Sequence, residues 1–320
     1  MAPLALDFAV RLQVRTWASG IRRRKPFPGF HPGVYLEQHG VCVEGSDPTA
    51  DYIRAGRPDG QWNSMVISVG VGDVRDLPVN ESVALHLHVF YPDLLPAIMS
   101  RLSSNRCRPD LLVSVTSEET QDLVAGHLER YEGKVAAIEV VPNRGRDVGP
   151  LLTQFGRRIL SDYTYVGHIH TKKTATVDGA LGKRRFKFLI ANLLGGRLGA
   201  MADAILASMK ADRSLGMVFP DDPHAQGWNA NRGFAEELAS KIGIGELPQQ
   251  HFNFPVGTMF WARTCALSPL IDANLHWDDY PQEPLPYGGT LLHTIERLLP
   301  LTLSGGTLRA AVTNVSGVTR

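Results

Sequence analysis

Two short polar segments each accompany the end of an apolar run and carry side chains that bind anions. NRGRD occupies residues 143–147 after the run VAAIEVV, and HIHTKK occupies residues 168–173 at the end of the run YTYVGHIH. Arginine and lysine side chains donate charge-assisted hydrogen bonds to phosphate oxygens, and glycines let a ligand approach the backbone closely. If the two segments meet in the fold, they predict a site for an anionic ligand, and a pyrophosphate fits these residue types.

The elements around these segments determine whether they meet. From Ser82 onward, β-rich runs alternate with segments of helical spacing, a pattern typical of parallel βαβ units. The predicted strands are SVALHLHVFY, DLLVSVT, VAAIEVV, YTYVGHIH, LGMVFP and VGTMFWA. Helices are predicted after each of the first three strands, twice between 180 and 210, and near 232–242 and 290–299. Residues 79–320 are therefore predicted to form an α/β domain, with a Rossmann-type, mostly parallel sheet and helices on both faces.

In parallel sheets, ligands bind in the crevice at the carboxyl ends of the strands, which is where the polar residues of this chain fall. The predicted nucleotide-sugar pocket consists of Tyr91, Asn143, Arg144, Gly145, Arg146, Asp147, His168, His170, Lys172 and Lys173. A competing interpretation is that NRGRD is a solvated turn in which Asp147 caps the next helix.

Two His-x-His pairs, His86 with His88 and His168 with His170, place their imidazoles on one face of a strand. Such pairs can supply metal ligands, but neither has a carboxylate at a recognisable spacing. We therefore predict no metal ligands among the site residues and expect His168 and His170 to contact the ligand. A metal-dependent hydrolase that uses both pairs stays open as an alternative.

The composition is that of a globular protein without a general affinity for nucleic acid. Hydrophobic residues make up 43% of the 320 residues, and 33 Lys and Arg stand against 32 Asp and Glu. Cys42, Cys107 and Cys265 lie far apart, which favours reduced thiols and a cytoplasmic location. No apolar run reaches the roughly 20 residues of a membrane span.

Residues 1–78 are rich in proline and glycine and are predicted to be an irregular N-terminal appendage. Within them, residues 11–25 combine basic side chains with Leu12, Val14, Trp17 and Ile21. Such a segment is typical of peripheral contact with anionic lipid on the inner face of the cell membrane, and also of a solvated helix packed on its own domain. Both interpretations stay open.

Several motifs, taken in order, resemble the rhamnan synthesis protein F family, glycosyltransferase-like proteins of bacterial rhamnose polysaccharide and O-antigen (lipopolysaccharide) assembly. The resemblance extends from about Pro28 to Leu299 and rests on GFHPGVYLEQHG, HLHVFYPDLL, NRGRDVGPLL, HIHTKK, FPVGTMFWAR and LLHTIERLL. A more distant resemblance is to inverting glycosyltransferases of the GT-A type, in which the strand corresponding to YTYVGHIH ends in a metal-binding Asp-x-Asp. Here His168-Ile169-His170 stands in that place.

The resemblance implies a GT-A-like transferase, and the departure from Asp-x-Asp predicts that it does not require a divalent cation, although use of Mg²⁺ or Mn²⁺ stays open. These ions prefer oxygen ligands, which the His-Ile-His segment lacks, so fixed positive charges would stabilise the leaving diphosphate. An inverting transferase needs a general base, for which the loop HWDDYPQEPLPYGG offers Glu283 and Asp279. The Asp-Gly-Thr that follows this acidic position in the family is replaced here by Gly288-Gly289-Thr290.

The function predicted from the resemblance is transfer of a sugar, with rhamnose from dTDP-rhamnose as the expectation. The donor is a nucleoside diphosphate sugar, and the acceptor is a polysaccharide or a lipid-linked molecule. Trp228 and Asn229 are predicted on the acceptor side, because aromatic faces and amides suit sugars. The alternative from another class is a non-catalytic carbohydrate-binding or assembly module that keeps the fold without turnover.

Overall fold

The strands of this protein form one sheet in a computed structural model that describes residues 24–39, 47–70, 77, 81–173, 179–286, 288–303 and 306–318. In order along the described chain the strands are β1 Met65–Ile67, β2 Val83–His88, β3 Asp110–Val115, β4 Val135–Val140, β5 Tyr165–His170, β6 Leu215–Pro220, β7 Phe260–Arg263 and β8 Arg309–Thr313. Their order across the sheet is β1-β8-β6-β7-β5-β2-β3-β4.

The α-helices of the described residues lie between these strands and in the N-terminal region. They are α1 Pro32–His39, α2 Pro48–Arg54, α3 Leu95–Leu102, α4 Glu118–Leu128, α5 Gly156–Asp162, α6 Gly179–Leu194, α7 Met201–Ala211, α8 Arg232–Lys241, α9 Ser268–Asp272 and α10 Leu291–Leu298. A short π-helical segment, Pro150–Gln154, precedes α5. None of the described helices combines the length and the apolar character needed to cross a bilayer.

The sheet is mostly parallel, as the sequence predicts. Strand β2 pairs in parallel with β3 and β5, β3 with β4, and β8 with both β1 and β6. Strand β7 runs antiparallel to both of its neighbours, β5 and β6. The α/β class is therefore confirmed, and β7 makes the sheet mixed.

Helices cover both faces of the sheet because alternate residues of each strand are apolar on opposite sides. Leu85 and Leu87 of β2 belong to one buried cluster, with α3, α6 and α7, whereas Ala84 belongs to the other, with α5, α8 and α10. His86 and His88 share the parity of Ala84 and so face the second cluster. This alternation puts the histidines of β2 and β5 beneath the loop that follows β4.

The N-terminal region is more regular than its proline and glycine content predicts. Helices α1 and α2 pack around a small core of Phe30, Val34, Tyr35, Tyr52 and Trp62, and β1 joins the edge of the sheet. The boundary between the appendage and the α/β domain is predicted after residue 78, so β1, a strand of the main sheet, lies on the appendage side of it. The boundary itself stays a prediction. Of the basic segment at 11–25, only Arg24 and Lys25 lie within the described residues.

Candidate functional site

The turn after β2 and the end of β5 are joined by side chains from HIHTKK. Thr171 accepts hydrogen bonds at its Oγ1 from the backbone amides of Phe90 and Tyr91, at 2.9 and 2.8 Å. The Lys173 ammonium forms an ion pair with Asp93 at 2.7 Å and lies 4.9 Å from the centre of the Tyr91 ring. Tyr91 and Lys173 therefore lie together at the carboxyl edge of the sheet.

The loop after β4 reaches the same place through Asp147. Its Oδ2 lies 3.4 Å from His168 Nε2 and 3.8 Å from His170 Nε2, and the carboxylate is buried. The structure thus brings NRGRD and HIHTKK together at the carboxyl end of β5. The contact between them is made by the acid of one segment and the histidines of the other.

Behind Asp147, a continuous row of buried polar side chains crosses three strands. Parallel pairing puts His86 opposite His168 and His88 opposite Ser114. His86 Nδ1 lies 2.9 Å from His168 Nδ1, and the Ser114 hydroxyl lies 3.0 Å from both His86 Nε2 and His88 Nδ1. The row runs His88, Ser114, His86, His168, Asp147, and we refer to it as the histidine row.

With neutral imidazoles and an ionised carboxylate, one arrangement of protons satisfies every bond of the histidine row. His168 donates its Nε2 hydrogen to Asp147 and accepts at Nδ1 from His86. His86 then accepts at Nε2 from the Ser114 hydroxyl, whose oxygen accepts from His88 Nδ1. Ser114, His86 and His168 each give one hydrogen and receive one, His88 only gives and Asp147 only receives, so all four bonds are directed toward Asp147.

Burial keeps His86, His88 and His170 neutral by lowering their pKa, whereas the neighbours of Asp147 keep its carboxylate ionised. Burial lowers the pKa of His88 to about 4, and it also lowers the pKa of His86 and His170. For Asp147, burial alone would raise the pKa, but the neighbouring His170, His168 and Lys172 together hold the pKa well below the usual range of a carboxyl. The row therefore stabilises an anion at its end.

His168 and His170 bond to other groups of the protein in this arrangement, and contact of either residue with a ligand stays a prediction. His168 is fully buried and both of its ring nitrogens are engaged, so the expected ligand contact of His168 is not available in this arrangement. His170 is also buried and donates from Nε2 to the Gly257 carbonyl at 2.8 Å. Among the residues that the structure describes, no group of three or more His, Cys, Asp or Glu side chains has the geometry to hold a metal ion.

The two arginines of NRGRD hold the acidic loop that precedes α10. Arg144 donates to the Tyr280 carbonyl at 2.7 Å, to the Asp278 carbonyl at 2.8 Å and to the Asp278 carboxylate at 2.6 Å. Arg146 donates to both carboxylate oxygens of Glu283, at 2.7 and 3.3 Å. The loop after β4 and the loop at 278–283 are thus clamped together at the sheet edge.

The glycines of this loop make room for aromatic rings of the acidic loop, not only for a ligand. Gly145 has a φ of +73°, and a Cβ there would lie 2.9 Å from both the Tyr280 ring and the Gly149 Cα. A Cβ on Gly149 would lie 2.8 Å from the Trp277 ring. The protein's own side chains approach these glycines closely, and the predicted close approach of a ligand stays a prediction.

The two acids predicted as general base differ in how the structure uses them. Asp279 accepts at Oδ2 from the His276 amide at 2.7 Å and so caps its own turn. Glu283 pairs with Arg146 and accepts from the Leu285 amide at 3.0 Å, and these bonds lower its pKa. Its side chain is 35% exposed, and Asp279 is exposed as well, so solvent can reach both acids.

On the predicted acceptor side, the structure separates Trp228 from Asn229. Trp228 is 1% exposed, packs on Phe252 and donates its indole hydrogen to the Pro248 carbonyl at 2.8 Å. Neither ring face is open to a sugar in this arrangement, and the predicted place of Trp228 on the acceptor side stays a prediction. Asn229 is exposed, with a φ of +51°.

Several residues of this region were missed by sequence reasoning. Ser114 is a lone hydroxyl in the apolar strand DLLVSV, and that signal marks it as a residue with a buried polar partner. Arg185 of α6 and Gly257 before β7 gave no signal, because they are far from both polar segments in sequence and reach the site only through the fold.

Comparison with known protein families finds one whose model matches this chain. The family model of rhamnan synthesis protein F matches residues 54–303 of this chain. An uncharacterized protein, WxcX, of Xanthomonas campestris pv. campestris is 29% identical over 253 residues, both in strain B100 and in strain ATCC 33913. The match covers 78% of this chain and 35% of each relative, so the chain spans about a third of the length of these curated relatives.

Among solved structures, CMP:2-keto-3-deoxy-manno-octonic acid synthetase complexed with CTP resembles this chain at 10% sequence identity. The superposition covers 73% of this chain and 90% of that one, with a TM-score of 0.31. A similarity of this size carries no argument about the site.

Proposed function

We propose a function for this protein from its family. The chain belongs to the rhamnan synthesis protein F family, whose model matches residues 54–303. The proposed role is in polysaccharide synthesis, as a glycosyltransferase that moves a sugar from a nucleoside diphosphate donor to a polysaccharide or lipid-linked acceptor. Rhamnose from dTDP-rhamnose is the donor that the family description suggests. The observation that supports this role best is that NRGRD, the end of β5 and the acidic loop meet at one edge of the sheet.

The proposed donor site uses the charged side chains that face this edge. Asn143 and Arg146 are exposed, and Tyr91 lies at the same edge of the sheet with Lys173 over its ring, so these residues are proposed to contact the nucleotide and its diphosphate. Arg144 is given a positioning role instead, because its contacts go to the loop at 278–280. Positive side chains that contact the leaving diphosphate stabilise its negative charge and so lower the barrier to breaking the bond to the sugar.

Glu283 is proposed as the general base that takes the proton of the acceptor hydroxyl. In the described arrangement Arg146 lowers its pKa and makes it a weaker base. A donor diphosphate that binds Arg146 competes with the carboxylate for the guanidinium, because both are anions that accept its paired hydrogen bonds. Donor binding and release of Glu283 would therefore be linked, and transfer would follow donor binding.

A second candidate function is a nucleotide-sugar-binding or assembly module without turnover. The observation that favours it is the state of the acids: Asp279 caps its own turn and Glu283 is held in an ion pair. The metal-dependent hydrolase is not proposed further, since the ring nitrogens of His86 and His168 are used within the histidine row.

Titration calorimetry with dTDP and UDP tests the donor site. We expect Asn143→Ala and Arg146→Ala to weaken binding by about tenfold or more each, the scale of a lost charge-assisted or buried hydrogen bond. Arg157→Ala is the matched control, because Arg157 is also exposed and paired with a carboxylate, Asp272 at 2.6 Å, but on α5. If both site variants bind the nucleotides as tightly as the parent, the pocket is elsewhere.

A further inference from the structure

The positive side chains of the site differ in whether the protein already neutralises them. Arg144 is paired with Asp278, Arg146 with Glu283 and Lys173 with Asp93, each at 2.7 Å or less. A bound anion must compete with these carboxylates. The side chains best prepared for an anion are therefore those without a protein partner.

Lys172 and Arg185 meet this condition. Within the part of the chain that the structure describes, neither side chain makes a hydrogen bond or an ion pair, although both are half-buried. Arg185 Nε is shielded from solvent and has no acceptor. A buried donor without an acceptor costs free energy, so such a group is uncommon in a folded protein unless a ligand or water satisfies it.

The two charges also act on each other. Burial lowers the pKa of Lys172, and the positive charge of Arg185 is the next largest cause. Like charges held together away from water repel, and this arrangement is unfavourable until an anion lies between them. The fold therefore stores an electrostatic cost at this point of the site.

The acids nearby relieve this cost only in part. Glu296 and Asp147 act on Lys172 to raise its pKa, but their oxygens have other partners. Glu296 accepts from the Gly257 amide at one oxygen and from Arg297 at the other, at 3.2 Å for the latter. Asp147 is bonded to His168.

Arg185 lies close to Gly257, and Gly257 in turn contacts the end of β5. A Cβ on Gly257, which has a φ of +92°, would lie 3.9 Å from Arg185 Nη2 and 3.2 Å from a Leu189 methyl. The Gly257 carbonyl binds His170, which lies two residues before Lys172 in the chain. Arg185 and Lys172 thus approach the same end of the same strand from α6 and from β5.

We propose that Lys172 and Arg185 form the diphosphate subsite of this protein. The proposal rests on the proposed function for the identity of the ligand as a nucleoside diphosphate, but not for the presence of an anion site. The ammonium supplies a compact charge and the guanidinium a planar pair of donors, a combination that matches the several oxygens of a pyrophosphate. Arg146 is then a secondary contact that first has to leave Glu283.

The test compares four proteins by calorimetry with two probes, dTDP and inorganic pyrophosphate. The proteins are the parent, Lys172→Met, Arg185→Met and Arg184→Met, the last being the control because Arg184 is the exposed neighbour on α6. We expect Lys172→Met and Arg185→Met to lose about tenfold or more in affinity for both probes, and Arg184→Met to stay within about twofold of the parent.

Thermal melts without ligand provide a check on folding. Because each substitution at the subsite removes a repulsive charge, we expect Lys172→Met and Arg185→Met to melt at or above the temperature of the parent. Parent-like affinity for dTDP in both variants would overturn the subsite and leave the proposed function standing. Pyrophosphate binding that depends on Arg185, without binding of dTDP, UDP or their sugars, would keep the subsite and remove the proposed function. A parent that binds neither probe would overturn both.

Discussion

Acid should destabilise this fold through the buried histidines of β2 and β5. Burial lowers the pKa of His88 from 6.5 to about 4 and lowers those of His86 and His170 in the same direction. Below pH 6.5 the unfolded chain binds protons that the folded chain excludes. The free energy of unfolding therefore falls as the pH falls from about 6.5 toward about 4.

The size of the effect follows from the width of this window. Each such histidine contributes about 1.4 kcal/mol per pH unit within it. Between pH 6.5 and pH 5, His88 alone should remove about 2 kcal/mol, and a typical domain has only roughly 5 to 15 kcal/mol of stability. His86 and His170 add to this loss, so the protein should be markedly less stable at pH 5 than at pH 7.

Urea unfolding of the parent and of His88→Asn at pH 7 and pH 5 measures the contribution of one histidine. The asparagine amide can still reach the Ser114 hydroxyl in place of Nδ1 but does not titrate. The loss of stability between the two pH values should be smaller in this variant by about 2 kcal/mol. His127→Asn, an exposed position on α4, is the control. An equal loss in His88→Asn and parent would refute the reasoning about burial.

Three further predictions concern the metal, the loop and the N-terminal region. Donor affinity measured by calorimetry should be the same in EDTA and in excess Mg²⁺, because the positive charges that bind the diphosphate belong to side chains of the protein. Donor binding that EDTA abolishes and Mg²⁺ restores would contradict this. Gly145→Ala should lose about 2 kcal/mol of unfolding free energy in urea, from the φ of +73° and the contact with Tyr280, whereas Gly126→Ala, with open space around it, should lose none. Lys25→Met should lose about 3 kcal/mol, since it leaves the Asp221 carboxylate buried without its 2.7 Å partner; the double variant with Asp221→Asn should lose less, and an equal loss would argue against the ion pair.

Local patterns in the sequence predict most of the fold because they act within a few residues. Ser117, followed by Glu119 and Asp122, suits the start of a helix, and in the structure its hydroxyl accepts from the Thr120 amide at 3.2 Å at the start of α4. The runs VALHLH, DLLVSV, VAAIEV and YVGHIH are strands as expected. The antiparallel direction of β7 could not be predicted, because it depends on how the chain returns to the sheet and not on residues 260–263 themselves.

The site was less predictable because its contacts depend on strand register. Alternation places His86 and His88 on one face, but nothing in the sequence shows that His86 pairs with His168. Without that register the histidines resemble exposed ligands, whereas the structure buries them. Likewise, the arginines of NRGRD are predicted to bind an anion, and the acid that each one binds, Asp278 or Glu283, lies more than 130 residues later.

Sugar transfer from a labelled donor tests the central claim most directly. The parent, Glu283→Gln and Arg157→Ala would each be incubated with radiolabelled dTDP-rhamnose and a lipid-linked or polysaccharide acceptor, with donor binding measured in parallel. We predict incorporation of label by the parent and by Arg157→Ala, and a loss of about 100-fold or more in Glu283→Gln with donor binding retained, which is the scale of a missing general base. Near-normal transfer by Glu283→Gln would move the base to another residue, with Asp279 next, and a parent that binds the donor but transfers no label would contradict the claim that this site is a transferase.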